Sequence, residues 1–384
     1  MIMLEKNNTF LLSLLIASYS LIIVKVFISG PILVNDTFEY IAWSEEFLRE
    51  PINFFINPGS YELVQPQLFY TFTTIIFSAF IYFSPDNWVN YFLIFNLLSV
   101  GLIFFNLYLF LKKFLISGYA LILVPILFLT GDSLVWPAYI MMDVFYASCV
   151  ISVINFFILF NKNKWVLILA ILFLVLLKPQ SLAFILAAAF IFLISKDEVL
   201  KYFRQYTGNC IFILIVMFTL LFEFVFSDFF LNTFRSEALN LLGKWIEEGM
   251  IVKERFDGYQ KSNSFALSNS WIFINRLICF FQPWVEDFSL LHNLMFFILN
   301  ASFIIASSFF IFHKRIDITE NIFKTLLTIF LIILSGAIFH SFTFIDFDWR
   351  YRFPYVAPMA LFCGLMLDQI IKNIIRKKLT ASGP

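Results

Sequence analysis

Apolar residues come in long blocks along this chain, broken by short polar stretches. Thr9 to Ser29, Tyr91 to Leu111, Asn209 to Phe226 and Leu290 to Phe312 are typical. A helix needs about 20 apolar residues to cross the hydrocarbon core of a bilayer, so each such block predicts a membrane-spanning helix. The pattern repeats from one end of the chain to the other and predicts an all-α polytopic membrane protein.

The polar stretches set the direction of each crossing. Short loops rich in Lys and Arg stay on the cytoplasmic side. The basic groups lie at Lys112-Lys113, Lys162/Lys164, Lys196/Lys201/Arg204, Lys314-Arg315 and Lys372/Arg376/Lys377/Lys378. All of them fall on one side if the apolar stretch Leu68 to Ser84 does not cross. That stretch is therefore expected to lie at, or dip into, the outer interface. Ten spans follow, near 9–29, 91–111, 117–131, 144–160, 165–177, 181–195, 209–228, 288–312, 322–341 and 354–371, with both termini inside. The inner side then carries a basic excess and the outer side an acidic one. Spans such as 117–131 and 165–177 are too short to cross upright, which implies broken helices or a locally thinned bilayer. Lys6 precedes the first block and no small-residue cleavage site follows it, so the block reads as a retained span rather than a removed signal peptide.

Three segments result. Residues 1–228 form an N-terminal transmembrane module that includes a first outer loop, 30–90. Residues 229–287 form an outer amphipathic segment with Trp245, Trp271 and Trp284, and residues 288–384 supply the C-terminal helices.

Composition agrees with a lipid-embedded bundle. The chain is 61% hydrophobic and only 14% charged, more apolar surface than an ordinary water-soluble core absorbs. Its 26 basic and 26 acidic residues cancel, which argues against bulk nucleic-acid binding. The four cysteines have no CxxC or other ligand spacing and read as small apolar packing residues.

Polar residues that could carry chemistry gather on the predicted outer side. Asp36, in Val34-Asn35-Asp36-Thr37-Phe38-Glu39-Tyr40, follows the first span. A carboxylate there sits where a lipid-borne and a water-soluble substrate can meet; equally, Asp36 can serve only as N-cap of a helix Thr37 to Arg49. Asp143 stands at the outer start of the fourth span, after Asp132 and the break at Trp136-Pro137. A carboxylate at such an edge lines a cavity or pairs with a cation. Lys178-Pro179-Gln180-Ser181 forms an outer turn whose lysine either snorkels or contacts phosphate. In Asp346-Phe347-Asp348-Trp349-Arg350-Tyr351-Arg352-Phe353-Pro354, two arginines run against the charge bias, so they either pair with Asp346 and Asp348 or hold an anionic group. His292, His313 and His340 share no ligand spacing and read as incidental.

In order and sidedness these runs resemble the motifs of the GT-C superfamily, the polytopic glycosyltransferases that use polyprenyl-phosphate-linked sugars, among them the protein mannosyltransferases and aminoarabinose transferases. Asn35-Asp36-Thr37-Phe38-Glu39-Tyr40 is similar to the family's acidic motif in the first outer loop. Gln65-Pro66-Gln67-Leu68-Phe69-Tyr70 resembles its HPPLYY-like run, with Gln65 for His and Gln67 for the second Pro. Met142-Asp143-Val144-Phe145 resembles the second acidic position. Leu177-Lys178-Pro179-Gln180 resembles the R/K-P-x turn, and Arg350-Tyr351-Arg352-Phe353-Pro354 the entry to a late span.

The resemblance implies a GT-C-like bundle of about ten transmembrane helices with juxtamembrane helices on the outer face. It implies inverting transfer of a sugar from a polyprenyl-phosphate carrier to a glycan, lipid or protein acceptor, on the periplasmic or extracellular face of a bacterial inner membrane. Asp36 would be the general base and Asp143 would position the acceptor or assist. Lys178, Arg350 and Arg352 would hold the phosphate, with Glu39, Gln180 and Tyr351 completing the substrate site. Some relatives use a divalent cation, and no dense acid cluster here compels one. Two other activities fit the same layout: a flippase for a lipid-linked glycan, and an O-antigen-type glycan polymerase.

Overall fold

The computed structural model of the chain describes residues 2–52, 70–114, 118–160, 164–194, 196–225, 269–282, 284, 289–312, 316, 318–343 and 349–381. Among the described residues there are 14 α-helices and no strand. The first half holds α1 (Ile2–Ser29), α2 (Asn35–Arg49), α3 (Thr71–Phe83), α4 (Trp88–Phe114), α5 (Gly118–Phe128), α6 (Asp143–Phe160) and α7 (Lys164–Leu177). The second holds α8 (Leu182–Ile194), α9 (Asp197–Gln205), α10 (Thr207–Val225), α11 (Asn269–Phe280), α12 (Leu290–Ile311), α13 (Glu320–Thr343) and α14 (Phe353–Ala381).

Six of these, α1, α4, α10, α12, α13 and α14, are long and apolar enough to cross a bilayer. The chain is thus a helical integral membrane protein, and helix length alone supports six crossings rather than the ten expected. For two of the four helices that fall short, the cause is local. α7 has 14 residues and spans about 21 Å at 1.5 Å per residue, less than the roughly 30 Å hydrocarbon core. Pro179 stops it, because the residue before a proline is pushed out of helical geometry. α5 carries Pro125 and passes into a π-type turn, Leu129–Ser133, in which Gly131 and Asp132 leave helical geometry.

Hydrogen bonds between sequence-distant segments define two ends of the bundle. At one, Ile32 N donates to Ala138 O and Ile140 N to Ile32 O, Asn96 Nδ2 donates to Tyr139 O at 2.7 Å, and Thr73 Oγ1 donates to Leu177 O at 2.8 Å. At the other, Lys113 Nζ donates to Ile158 O and Arg204 Nη2 to Ile318 O. Both ends of α3 belong to the first: its start is tied to the close of α7, and Phe77 and Phe80 pack on Phe92 near the start of α4.

The core lies around α13 and α14, whose apolar windows are each 83% buried, against 28% for α1 and α10. A helix that is apolar all round yet so exposed is facing lipid. Since lipid is as apolar as leucine, close packing and polar contacts rather than hydrophobicity hold such helices together. Both occur here. A Cβ at Gly336 would lie 2.3 Å from the Tyr355 ring, so α13 and α14 touch at a distance that only glycine permits. Between α4 and α6, Asn106 Nδ2 donates to Ser152 Oγ at 2.9 Å, and Asn155 Nδ2 donates to Asn106 O at 2.7 Å and to its Oδ1 at 3.0 Å.

Candidate functional site

The first end of the bundle is built by strapping the loop after α1 against the loop before α6. Gly30, at φ 67, turns the chain out of α1, and Ile32 then pairs in parallel with Tyr139. Val34 occupies the N-cap of α2, and Thr37 Oγ1 accepts from Val34 N at 3.1 Å while donating to Ile140 O at 2.9 Å. Asp36 therefore is not the N-cap; it sits in the first helical turn, half-buried, where the helix dipole favours a carboxylate. Glu39, one turn on, is exposed. The Thr37–Ile140 hydrogen bond links the Asp36 turn to the residues just ahead of Asp143.

Asp143 opens α6 and Lys178 follows the close of α7. Lys178 Nζ lies 2.6 Å from Asp143 Oδ1, with the side chains 3% and 1% exposed. Each charge complements the helix end it occupies, acid at an N-terminus and base at a C-terminus. The turn beneath is fixed by Ser181, whose N donates to Lys178 O and whose Oγ donates to Leu174 O at 2.5 Å. Gln180 is buried in the same turn. Among the described residues, its Oε1 and Asp143 Oδ2 accept no hydrogen bond. Tyr146, one turn along α6, is fully buried beside Ser181 and Tyr355.

A second charged cluster stands at the same end. Asp132 is 1% exposed in the π-type turn, at φ 65, and His292 Nε2 lies 2.5 Å from its Oδ1. The Arg352 guanidinium acts electrostatically on the same carboxylate. Arg352 is itself buried: its Nη1 donates to Phe280 O at 3.0 Å and Gln282 O at 2.8 Å, and its Cζ lies 4.9 Å from the Phe296 ring centre. Tyr351 is half-buried with its ring 6.4 Å from that of His340. Close by, Arg276 donates to Ser341 O at 3.1 Å, and burial pulls its guanidinium down to about 10, which leaves it charged at neutral pH.

Several sequence expectations change in consequence. Lys178 does not snorkel to the surface; it is held in a buried ion pair with Asp143. Arg352 is engaged by two carbonyls and by the field of Asp132. The paired-aspartate alternative, Asp346 and Asp348, lies outside the described residues, as do Gln65 to Phe69 and most of the 229–287 segment, and only the backbone of Arg350 is described. His292 is not incidental, because it pairs with Asp132. No spacing relates those two residues, although Thr130-Gly131-Asp132-Ser133 at the end of an apolar block does signal a helix break.

Among the described residues, no group of three or more His, Cys, Asp or Glu side chains gathers to hold a metal ion. The arrangement offers a half-buried carboxylate at Asp36, on a turn tied to the segment ahead of Asp143, and two buried charge clusters, each with a cation. Comparison with family models, with curated proteins and with solved structures gave no match.

Proposed function

We propose that the protein is a membrane glycosyltransferase that moves a sugar from a polyprenyl-phosphate carrier to a glycan, lipid or protein acceptor. What supports the reading is one juxtaposition. The Asp36 turn, the Asp143–Lys178 pair and the Arg352 cluster lie toward the same end of the bundle, and the Thr37–Ile140 and Ile32–Tyr139 contacts tie the Asp36 turn to the segment that leads into Asp143.

The chemistry such a site must supply is limited. A sugar phosphate carries its own leaving group, so the enzyme needs a base for the acceptor hydroxyl and cations for the departing phosphate. Asp36 takes the acceptor proton as the acceptor oxygen bonds to the anomeric carbon. The anomeric carbon–phosphate oxygen bond breaks on the opposite face, inverting the centre. Lys178 and Arg352 sit in low-dielectric surroundings where charge interacts strongly with a developing phosphate anion. Lys178 is already paired with a carboxylate and Arg352 with two carbonyls, so the phosphate shares these cations rather than meeting them bare. The end carrying this site faces away from the cytoplasm, in a bacterial inner membrane.

Reconstituted protein given a polyprenyl-phosphate sugar tests the reading. Transfer that is lost in Asp36→Asn while the protein stays folded supports it. Movement of the lipid-linked sugar across the bilayer without bond cleavage rules it out.

A further inference from the structure

A large opening lies at the other end of the bundle. A cavity of about 1060 Å³ is bounded by the start of α10, the close of α12 and the last third of α14. Its wall is apolar, with Phe309 46%, Phe312 72% and Ile374 50% exposed. Its polar lining includes Asn209, Asn373 and Lys377, and among the described residues no acidic side chain borders it. Gly208 and Ile311 both line it, and a Cβ on Gly208 would lie 3.2 Å from Ile311 Cγ2, so α10 and α12 pack closely at this point.

These features select an occupant. The groove opens between helices whose outer faces are lipid-exposed, so a ligand enters sideways from hydrocarbon. An aromatic and branched lining joined by a lysine and two amides is complementary to a molecule with apolar tails and an anionic head. The volume is at the upper end of small-molecule pockets, roughly 300–1,000 Å³, which suits a two-chain lipid better than a single acyl tail. We propose that this groove holds one anionic phospholipid, its acyl chains along Phe309, Phe312 and Ile374 and its phosphate at Lys377 and Asn373.

The test is native mass spectrometry of the full chain released from vesicles of phosphatidylglycerol and phosphatidylethanolamine into mild detergent. One phosphatidylglycerol per chain is expected to survive detergent washing. Lys377→Glu should lower that occupancy at least about fivefold, since one basic side chain near a lipid phosphate contributes on that order. Lys377→Arg should retain it. Ile374→Trp, which fills the wall, should remove the lipid whatever its headgroup, in protein whose gel-filtration profile is unchanged. Equal retention of the two lipids, no retained lipid, or retention indifferent to both Lys377→Glu and Ile374→Trp overturns the proposal. Displacement of the bound mass by added polyprenyl phosphate at stoichiometric concentration also overturns it, because the occupant is then the sugar carrier. Binding alone is read, so the outcome is independent of any transfer activity.

Discussion

Lys178 Nζ and Asp143 Oδ1 stand 2.6 Å apart, with both side chains withdrawn from solvent. Taking two charges out of water costs several kcal/mol per ion, and the mutual attraction repays this only while both partners are present. Lys178→Met or Asp143→Leu alone strands a buried charge and is expected to cost about 3–5 kcal/mol. The double variant removes both charges and should recover most of that loss. Thermal unfolding of the three variants in detergent decides the matter, and a double variant as unstable as the sum of the singles contradicts the pairing.

Asp36 presents the opposite case. It is half-buried in a first helical turn, so its charge keeps contact with solvent and contributes no more than a modest helix-dipole stabilisation. Asp36→Asn is expected to leave the melting temperature within about 2 °C, since surface substitutions stay within roughly 0.5 kcal/mol. Sugar transfer should fall by about 10²–10⁴-fold, the usual contribution of a general base. A variant with near-normal transfer removes Asp36 from the chemistry.

The two results bear on what can be read from the chain itself. Apolar blocks announce the long helices because a lipid-facing helix needs no polar face, so α4, α12 and α13 lie close to the blocks that predict them, while α14 starts as expected and runs ten residues further. The short helices are harder, since what ends α5 and α7 is a proline or a π-type turn rather than a loss of hydrophobicity. Asp143 and Lys178 each stand out as charges beside apolar runs, but nothing local says that they meet. Asp132 and His292 are further from view, because their pairing arises only when α12 packs against the turn that ends α5.

That turn gives a further prediction. Asp132 is the one described residue other than glycine with positive φ, and aspartate and asparagine tolerate that region far better than other side chains. Asp132→Asn therefore removes the charge while keeping the backbone, and Asp132→Ala removes the charge and adds roughly 1–2 kcal/mol of strain. Chemical denaturation should find the alanine variant less stable than the asparagine variant by about that amount. Equal stabilities mean that the turn does not require a left-handed residue.

The asparagine contacts between α4 and α6 are expected to contribute modestly. Interhelical hydrogen bonds within membranes average about 0.6 kcal/mol and reach about 1.7. Asn155 donates two such bonds, one to the Asn106 backbone and one to its side chain, so Asn155→Leu should cost about 1–2 kcal/mol, and Asn106→Leu should cost less once Asn155 is gone, because only its bond to Ser152 is then left to lose between the helices. A double-mutant cycle on unfolding free energy measures the coupling, and strict additivity shows that the two side chains do not act together.

Close packing at Gly336 should matter more than these polar contacts. A methyl group there would overlap the Tyr355 ring at 2.3 Å, and Tyr355 is fully buried, stacked on Phe184 and packed against Phe280. The ring has no room to retreat, so Gly336→Ala forces α13 and α14 apart at the centre of the bundle, at a cost of about 1–3 kcal/mol as for other overpacked cores. Gly101 provides the control. A Cβ there would come no nearer than 3.3 Å, and the atom it meets is the hydroxyl at the far end of the half-buried Tyr19 side chain. Gly101→Ala is expected to be neutral, or mildly stabilising because alanine favours the helix by up to about 1 kcal/mol. Melting temperatures of the two variants, compared in one detergent, should separate clearly, and a Gly336→Ala protein as stable as Gly101→Ala means that the central helices are not locked by Tyr355.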